Sequence, residues 1–245
     1  TNLVEAFGTV ITNVKDKCVI NIDDTKLSSF LRLGDISYSS SKNSHYKINF
    51  PNSFNVDKED YTITTKLIGE HFISNIVGAI ALANQNGISI DQCLNAIKHF
   101  DGVKRRTEYI GDFNGTNFYD DYGHHPTEIK ATTKALKNNT SGKLIVIFQP
   151  HRFTRTRDNY EDLRDSFDHS DLTLITDIYS AGEKPIPGIS SVMFEGKDIQ
   201  YMKSPRLVPH FIKNNINPGD TVLTIGAGDI TLLGPQILKY LNENK

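Results

Sequence analysis

The residues best suited to chemistry fall into four short runs. Asp120-Asp121-Tyr122-Gly123-His124-His125-Pro126-Thr127-Glu128 sets two carboxylates at the end of a strand-like segment and two imidazoles at the start of a helical one. Carboxylates are acceptors, suited to sugar hydroxyls or a hydrated metal. Imidazoles beside the free N–H groups of a helix start suit a phosphate. Pro126 fits the first turn, where a missing N–H costs nothing. The competing reading is a polar turn that caps the helix and faces water. A metal site built from Asp-x-x-His alone is the weaker idea.

The second run, Gln149-Pro150-His151-Arg152-Phe153-Thr154-Arg155-Thr156-Arg157-Asp158, follows the apolar segment Leu144–Phe148 and enters a helix. Three arginines at a helix N-terminus oppose the macrodipole, so an anion is expected to compensate. Spacing pairs Arg157 with Glu161. Arg152 and Arg155 have no such local partner, and a guanidinium grips a carboxylate or phosphate through two parallel bonds. The segment reads as an anion clamp, against the plainer alternative of a solvated basic turn.

Two further runs are less specific. In Gly69-Glu70-His71-Phe72-Ile73-Ser74-Asn75, His71 and Asn75 lie four apart and share one helical face. An imidazole and an amide so placed can read the edge of a heterocycle, although a capped helix start with one surface histidine is the simpler account. Thr224-Ile225-Gly226-Ala227-Gly228-Asp229-Ile230 joins an apolar strand to a helix through two glycines, which lets a ligand approach backbone N–H groups. It lacks the full dinucleotide fingerprint, and a tight structural turn explains it equally well.

The elements that must position these runs change character near residue 102. Before it, helical spacing over 1–15 leads into a strand at Cys18–Ile22 that ends at the Asp23-Asp24 turn, and a helix is expected around Leu27–Leu33. Alternation at residues 46–50 and 61–65 predicts strands in hairpins. Helices follow at 70–86 and 89–100, the second opened by a Ser89/Gln92 capping box, with Gly87 ending the first. After Asp101-Gly102, strands near 107–113, 116–121, 143–149, 172–178, 199–202 and 221–226 alternate with helices near 126–138, 156–168, 189–196, 205–215 and 230–243. That alternation predicts an α/β fold with a mostly parallel, doubly wound sheet. In such sheets ligands sit beyond the C-terminal strand ends, where Asp120–His125, Gln149–Arg157, Tyr179–Gly188 and Gly226–Asp229 all fall.

Composition narrows the class. The 245 residues suffice for one large or two ordinary domains, at 38% hydrophobic and 23% charged. A net charge of -2 argues against nucleic acid or an acidic membrane as partner. No apolar run reaches the roughly 20 residues of a membrane span, and no signal-like start is present, so a cytoplasmic address is expected. Cys18 and Cys93 are read as ordinary buried thiols. The sequence opens on Thr1, inside helical spacing, which leads to the expectation of a cut or processed chain.

Taken together, Asp120–Glu128 and Phe148–Asp158 resemble the Mur ligase family, in the branch that couples L-alanine to UDP-N-acetylmuramate. Tyr179–Gly188 and Gly226–Ile230 match in the same order, and Gly102-Val-Lys-Arg-Arg106 is similar to that branch's domain junction. The resemblance spans the chain. It implies that residues 1–101 are the C-terminal part of the central ATP-binding domain and 102–245 the C-terminal Rossmann-like domain. It also implies ATP, with magnesium held by residues outside this chain, and UDP-N-acetylmuramate and L-alanine as substrates in peptidoglycan synthesis. In that chemistry ATP phosphorylates the muramyl carboxylate and the alanine amine displaces the phosphate. By position, His71 and Asn75 would contact adenine, Arg106 and Asp121 the ribose, and Tyr122 and His124 would lie near the nucleotide or its phosphates. His151, Arg152 and Arg155 would seat the alanine. His124, His151, Arg152 and Arg155 are the expected catalytic group. No Gly-x-x-Gly-Lys-[Ser/Thr] loop occurs in the chain, so activity is expected to need the missing N-terminal domains. Phe72 stands where the family usually has Asn, and Thr107 where it usually has Phe; the second is expected only to alter packing. Two other functions stay open: a ligase of murein peptides in cell-wall recycling, which shares Asp-Asp-x-x-His-His-Pro, and a non-catalytic nucleotide-binding module.

Overall fold

The computed structural model describes residues 3–244. The chain divides into two compact units, Thr1–Asp101 and Gly102–Lys245.

The first unit carries α1 (Leu3–Asn13), β1 (Val19–Asn21), α2 (Thr25–Ser28), β2 (Ile36–Ser39), β3 (Tyr46–Asn49), β4 (Ser53–Val56), β5 (Glu59–Thr62), α3 (Glu70–Gln85) and α4 (Ile90–Lys98). Its sheet runs β1-β2-β3-β4-β5. One face is buried: Tyr46, Ile48, Phe54 and Val56 alternate inward and pack on Ile73, Ile76, Val77 and Ile80 of α3. The Ser89/Gln92 capping box forms as the spacing predicts. The hairpins are real for β3-β4-β5, but β2 and β3 pair in parallel. The connection between them is shorter than parallel strands usually need. His45 closes it by turning its Nδ1 back to Ser37 N at 3.1 Å, while Asp23 gathers Ser39, Ser40 and Ser41. The helix expected over Leu27–Leu33 begins earlier and is a single turn capped by Asp24, because Arg32 leaves the helical path to bond Asp35. The strand expected through residue 65 ends at Thr62.

The second unit carries β6 (Glu108–Phe113), β7 (Thr116–Asp121), α5 (Pro126–Asn138), β8 (Leu144–Phe148), α6 (Phe153–Asp158), α7 (Tyr160–Asp165), β9 (Leu172–Ile175), β10 (Ile199–Tyr201), α8 (Val208–Asn215), β11 (Thr221–Ile225) and α9 (Leu233–Glu243). Strand order is β10-β9-β8-β11-β7-β6, parallel throughout except for the β6–β7 pair. Asn114 and Gly115, both at positive φ, make the two-residue turn of that hairpin. β8 (LIVIF) and β11 (TVLTI) are buried along their whole length, as central strands covered on both faces must be.

Register fixes where the loops emerge. Ile225 of β11 is level with Asp121 of β7 and Phe148 of β8, and Phe148 is level with Ile175 of β9. The chain leaves β8 outward to β9 and β10, then returns to insert β11 between β8 and β7. That reversal is a topological switch point, and all four polar runs of this unit leave the sheet at the same edge.

Candidate functional site

The turn after β7 is built around two buried carboxylates. Asp120, 2% exposed, accepts from Thr224 Oγ1 and Thr231 Oγ1 at 2.7 Å each and faces Arg105 Nε at 3.5 Å. That Nε makes no aligned hydrogen bond among the described residues, so the contact is an ion pair rather than a bonded one. Arg105 Nη2 donates to the Gly226 carbonyl at 2.7 Å, and its guanidinium lies 4.8 Å from the Tyr122 ring centre. Arg105 thus ties the β7 and β11 turns together, a role that sequence reasoning did not give it.

Asp121, 3% exposed, accepts Gly123 N on one oxygen, and Thr107 N and Thr107 Oγ1 on the other. Burial raises its carboxyl above the ordinary 3.8 despite those donors. Thr107 therefore does more than alter packing: its hydroxyl adds a 3.2 Å bond to this carboxylate. Any ligand hydroxyl would have to use the remaining lone pairs. Arg106 lies 3.9 Å from Glu128 and 5.7 Å from the Tyr122 ring centre.

His124 and His125 have different duties. His125 caps α5, its Nδ1 accepting Thr127 N while Glu128 accepts His125 N. His124 Nδ1 lies 3.1 Å from the Tyr122 carbonyl, and its ring is 5.9 Å from that of His151. Burial pushes Glu128 upward, but N–H groups of His124 and His125 and the charges of His124 and Arg106 outweigh it and hold the carboxyl below its ordinary value.

The turn after β8 corrects the helix-dipole premise. α6 spans only Phe153–Asp158, so Arg155 and Arg157 belong to its last turn, where positive charge is favourable; Arg152 alone stands at its N-cap. The helix expected over 156–168 breaks at Asn159 into α6 and α7. Arg157 bonds Asp158 at 2.7 Å rather than Glu161. What still points to a ligand is burial. Arg155 Nη1 and His151 Nδ1 are both shielded from solvent and have no hydrogen-bond partner among the described residues. Buried polar atoms are normally satisfied, and an exception marks strain or a ligand position.

The loop after β9 closes over this turn. Tyr179 N donates to Pro150 O and Arg152 N to Tyr179 O, both at 2.8 Å, and the Tyr179 ring stacks on His151 at 5.5 Å. Glu183 accepts Thr154 N at 3.0 Å and Thr154 Oγ1 at 2.6 Å, capping α6 from a distant segment. Behind them Gln149 bridges Asp229 Oδ1 and Ile230 N. A Cβ on Gly228 would fall 2.3 Å from Gln149 Oε1 and 2.7 Å from Tyr179 Cγ, which is why the second glycine of that turn is needed.

Burial lowers the His151 imidazole below its ordinary 6.5, with Arg155, His124 and Arg152 adding to the effect and Glu183 opposing it. A depressed histidine favours the fold above the unfolded midpoint and loses that stability as pH falls through its lower folded one. Urea midpoints measured between about pH 7.5 and 5 are therefore expected to fall less steeply in His151→Gln than in the native chain. Parallel curves would remove His151 from the acid response.

In the first unit His71 and Asn75 do occupy one face of α3, His71 half-buried and against the Phe72 ring at 4.3 Å, Asn75 exposed. The adenine role given to them rests on the resemblance alone. Cys93 is buried, but Cys18 is only half-buried, with Arg32 Nη2 at 3.5 Å from its sulfur. No helix among the described residues is long and apolar enough to cross a membrane, and no group of three His, Cys, Asp or Glu among them is placed to hold a metal.

Fold and site together define a doubly wound α/β domain whose switch-point edge gathers buried polar atoms that are not fully satisfied. Residues 105–228 match the family model described as Mur ligase, glutamate ligase domain. The chain belongs to the Mur ligase family. Curated relatives named UDP-N-acetylmuramate–L-alanine ligase include that of Desulforamulus reducens, 37% identical over 182 residues (71% of this chain, 39% of the relative), and that of Anaeromyxobacter sp., 39% identical over 183 residues (72% and 40%). The chain spans about two fifths of the length of these relatives. Among solved structures, UDP-N-acetylmuramate–alanine ligase from Thermotoga maritima shares the fold, with a TM-score of 0.79 at 22% identity over 99% of this chain and 55% of that one. MurF ligase from the same organism, solved with ADP, does so with a TM-score of 0.78 at 16% identity (98% and 58%).

Proposed function

We propose that the chain is the C-terminal part of a cytoplasmic ATP-dependent ligase that joins L-alanine to UDP-N-acetylmuramate in peptidoglycan synthesis. The observation that carries the reading is the pair of buried, unpartnered atoms, Arg155 Nη1 and His151 Nδ1, at the switch point of the sheet. A free amino acid offers a carboxylate for the guanidinium and an amine beside it. Arg155 and Arg152 bind the carboxylate, and neutral His151 with its lowered proton affinity accepts a bond from the amine. Holding the amine against an activated carbonyl is the work asked of this turn, and small misplacement there is costly. ATP supplies the activation of that carbonyl.

Arg106 and Asp121 hold the ribose in this reading, with Tyr122 beside the nucleotide and His124 toward its phosphates. Magnesium ligands are assigned to parts of the relatives that this chain does not span. Asp121→Ala is expected to raise the Michaelis constant for ATP about tenfold in the complete ligase, the effect of one lost hydrogen bond to a charged group, while leaving that for alanine near native. An ATP constant within error of the native one would remove Asp121 from the nucleotide. The function itself is tested by incorporation of radiolabelled L-alanine into a UDP-linked product by the chain joined to the upstream region of its relatives. No incorporation would overturn it.

A further inference from the structure

We propose that Tyr179 is a positioning residue for His151, its ring fixing the imidazole where a hydrogen-bonded partner usually would. The functional consequence rests on the alanine-site reading above; the positioning itself does not. A histidine that works in a site ordinarily owes its orientation to a bond made by its other ring nitrogen. Here no hydrogen bond among the described residues holds either ring nitrogen, and Nδ1, the atom left for the ligand in the reading above, is buried without one. What does touch the ring is aromatic. Tyr179 lies nearly parallel to it, 5.5 Å between centres with 17° between planes, and His124 leans against it at 5.9 Å and 54°. A stacked contact such as that with Tyr179 holds geometry as well as contributing energy.

The stack is enforced from both sides. The backbones of His151 and Tyr179 form a parallel bridge, with Tyr179 N bonded to Pro150 O and Arg152 N to Tyr179 O. From the far side the glycine turn after β11 leaves no room for Tyr179 to withdraw, since even a Cβ on Gly228 would meet its Cγ at 2.7 Å. Four charged or titratable groups surround the imidazole: Arg152 and Arg155 on its own segment, His124 from the β7 turn and Glu183 from the β9 loop. Removing the tyrosine ring opens the imidazole to water and loosens it among these charges.

The test is histidine NMR on the chain, with Tyr179→Phe, Tyr179→Leu and Gly228→Ala beside the native protein. Tyr179→Phe keeps the ring and preserves both the ring-current shift of the His151 C–H signals and their depressed titration midpoint. Tyr179→Leu loses the ring-current shift, and the midpoint rises toward 6.5. Gly228→Ala, which displaces Tyr179 without deleting it, moves both signals the same way and serves if the leucine variant does not fold. His151 signals and midpoint unchanged in Tyr179→Leu, or in Gly228→Ala, would overturn the positioning role. In the complete ligase Tyr179→Leu raises the alanine Michaelis constant on the order of tenfold and Tyr179→Phe restores it. If the NMR signals move while alanine kinetics do not, the positioning stands and it is the alanine reading that fails.

Discussion

Arg155→Ala in the complete ligase is expected to raise the Michaelis constant for L-alanine about 10- to 100-fold while leaving that for ATP near its native value. The magnitude follows from the bond lost: a hydrogen bond to a charged group is worth about 1.5–3 kcal/mol, and each 1.4 kcal/mol is tenfold in binding. The asymmetry follows from placement. Arg155 lies in the last turn of α6, with a buried Nη1 that has no partner among the described residues, whereas Arg106 and Asp121 belong to the β7 side of the same edge. Arg155→Lys is expected to recover only part of the loss, because an ammonium keeps the charge and not the planar fork. Native alanine kinetics in Arg155→Ala would take the clamp away from this arginine.

Asp120→Ala is expected to destabilise the second unit by about 3 kcal/mol. Breaking a buried ion pair by removing one partner costs about 3–5 kcal/mol. The low end applies because the Arg105 side chain keeps 26% of its surface in water. The variant also strips Thr224 Oγ1 and Thr231 Oγ1 of their acceptor and leaves Arg105 Nε facing nothing. For a unit of this size the melting temperature should drop roughly 6–12 °C, at about 2–4 °C per kcal/mol. Asp120→Asn, which keeps the shape and one acceptor oxygen, should drop it less. Circular dichroism melts read both, and a native melting temperature in Asp120→Ala would mean that Arg105 is held by the Gly226 and Gly228 carbonyls alone.

Much of the second unit is legible in the sequence because the signals there are local. The unbroken apolar run of β8 and the Pro126 helix start each name an element within a few residues. What escapes is set by long-range contact. Arg105 looks like a neighbour of Arg106 in a basic junction, and only the fold carries its Nη2 to the Gly226 carbonyl. Glu183 caps a helix that starts 30 residues earlier, so no local pattern could reveal it. His125 is an uncommon cap residue whose role follows from its partner Glu128 rather than from its type. The expected Arg157–Glu161 pair does not form, because the helix that would carry both residues breaks at Asn159. In the first unit the parallel β2–β3 pairing was hidden for the same reason: a short polar connection reads as a hairpin unless the His45–Ser37 bonds that fold it back are known.

The anion clamp rests on burial and not on a helix dipole. Three arginines against a helix dipole is not the physical situation, since two of them lie at the favourable end of a short helix. The buried nitrogens of Arg155 and His151 are the stronger ground, because they state an unmet requirement at a particular place.

The central claim, that this turn seats L-alanine for ligation, is tested most directly by phosphate release from the chain joined to the upstream region of its relatives. ATP, magnesium and UDP-N-acetylmuramate are supplied with either L-alanine or the murein tripeptide as acceptor. The account predicts turnover with alanine and none with the tripeptide, and none with either from the chain alone. Turnover only with the tripeptide would contradict it and move the protein to cell-wall recycling.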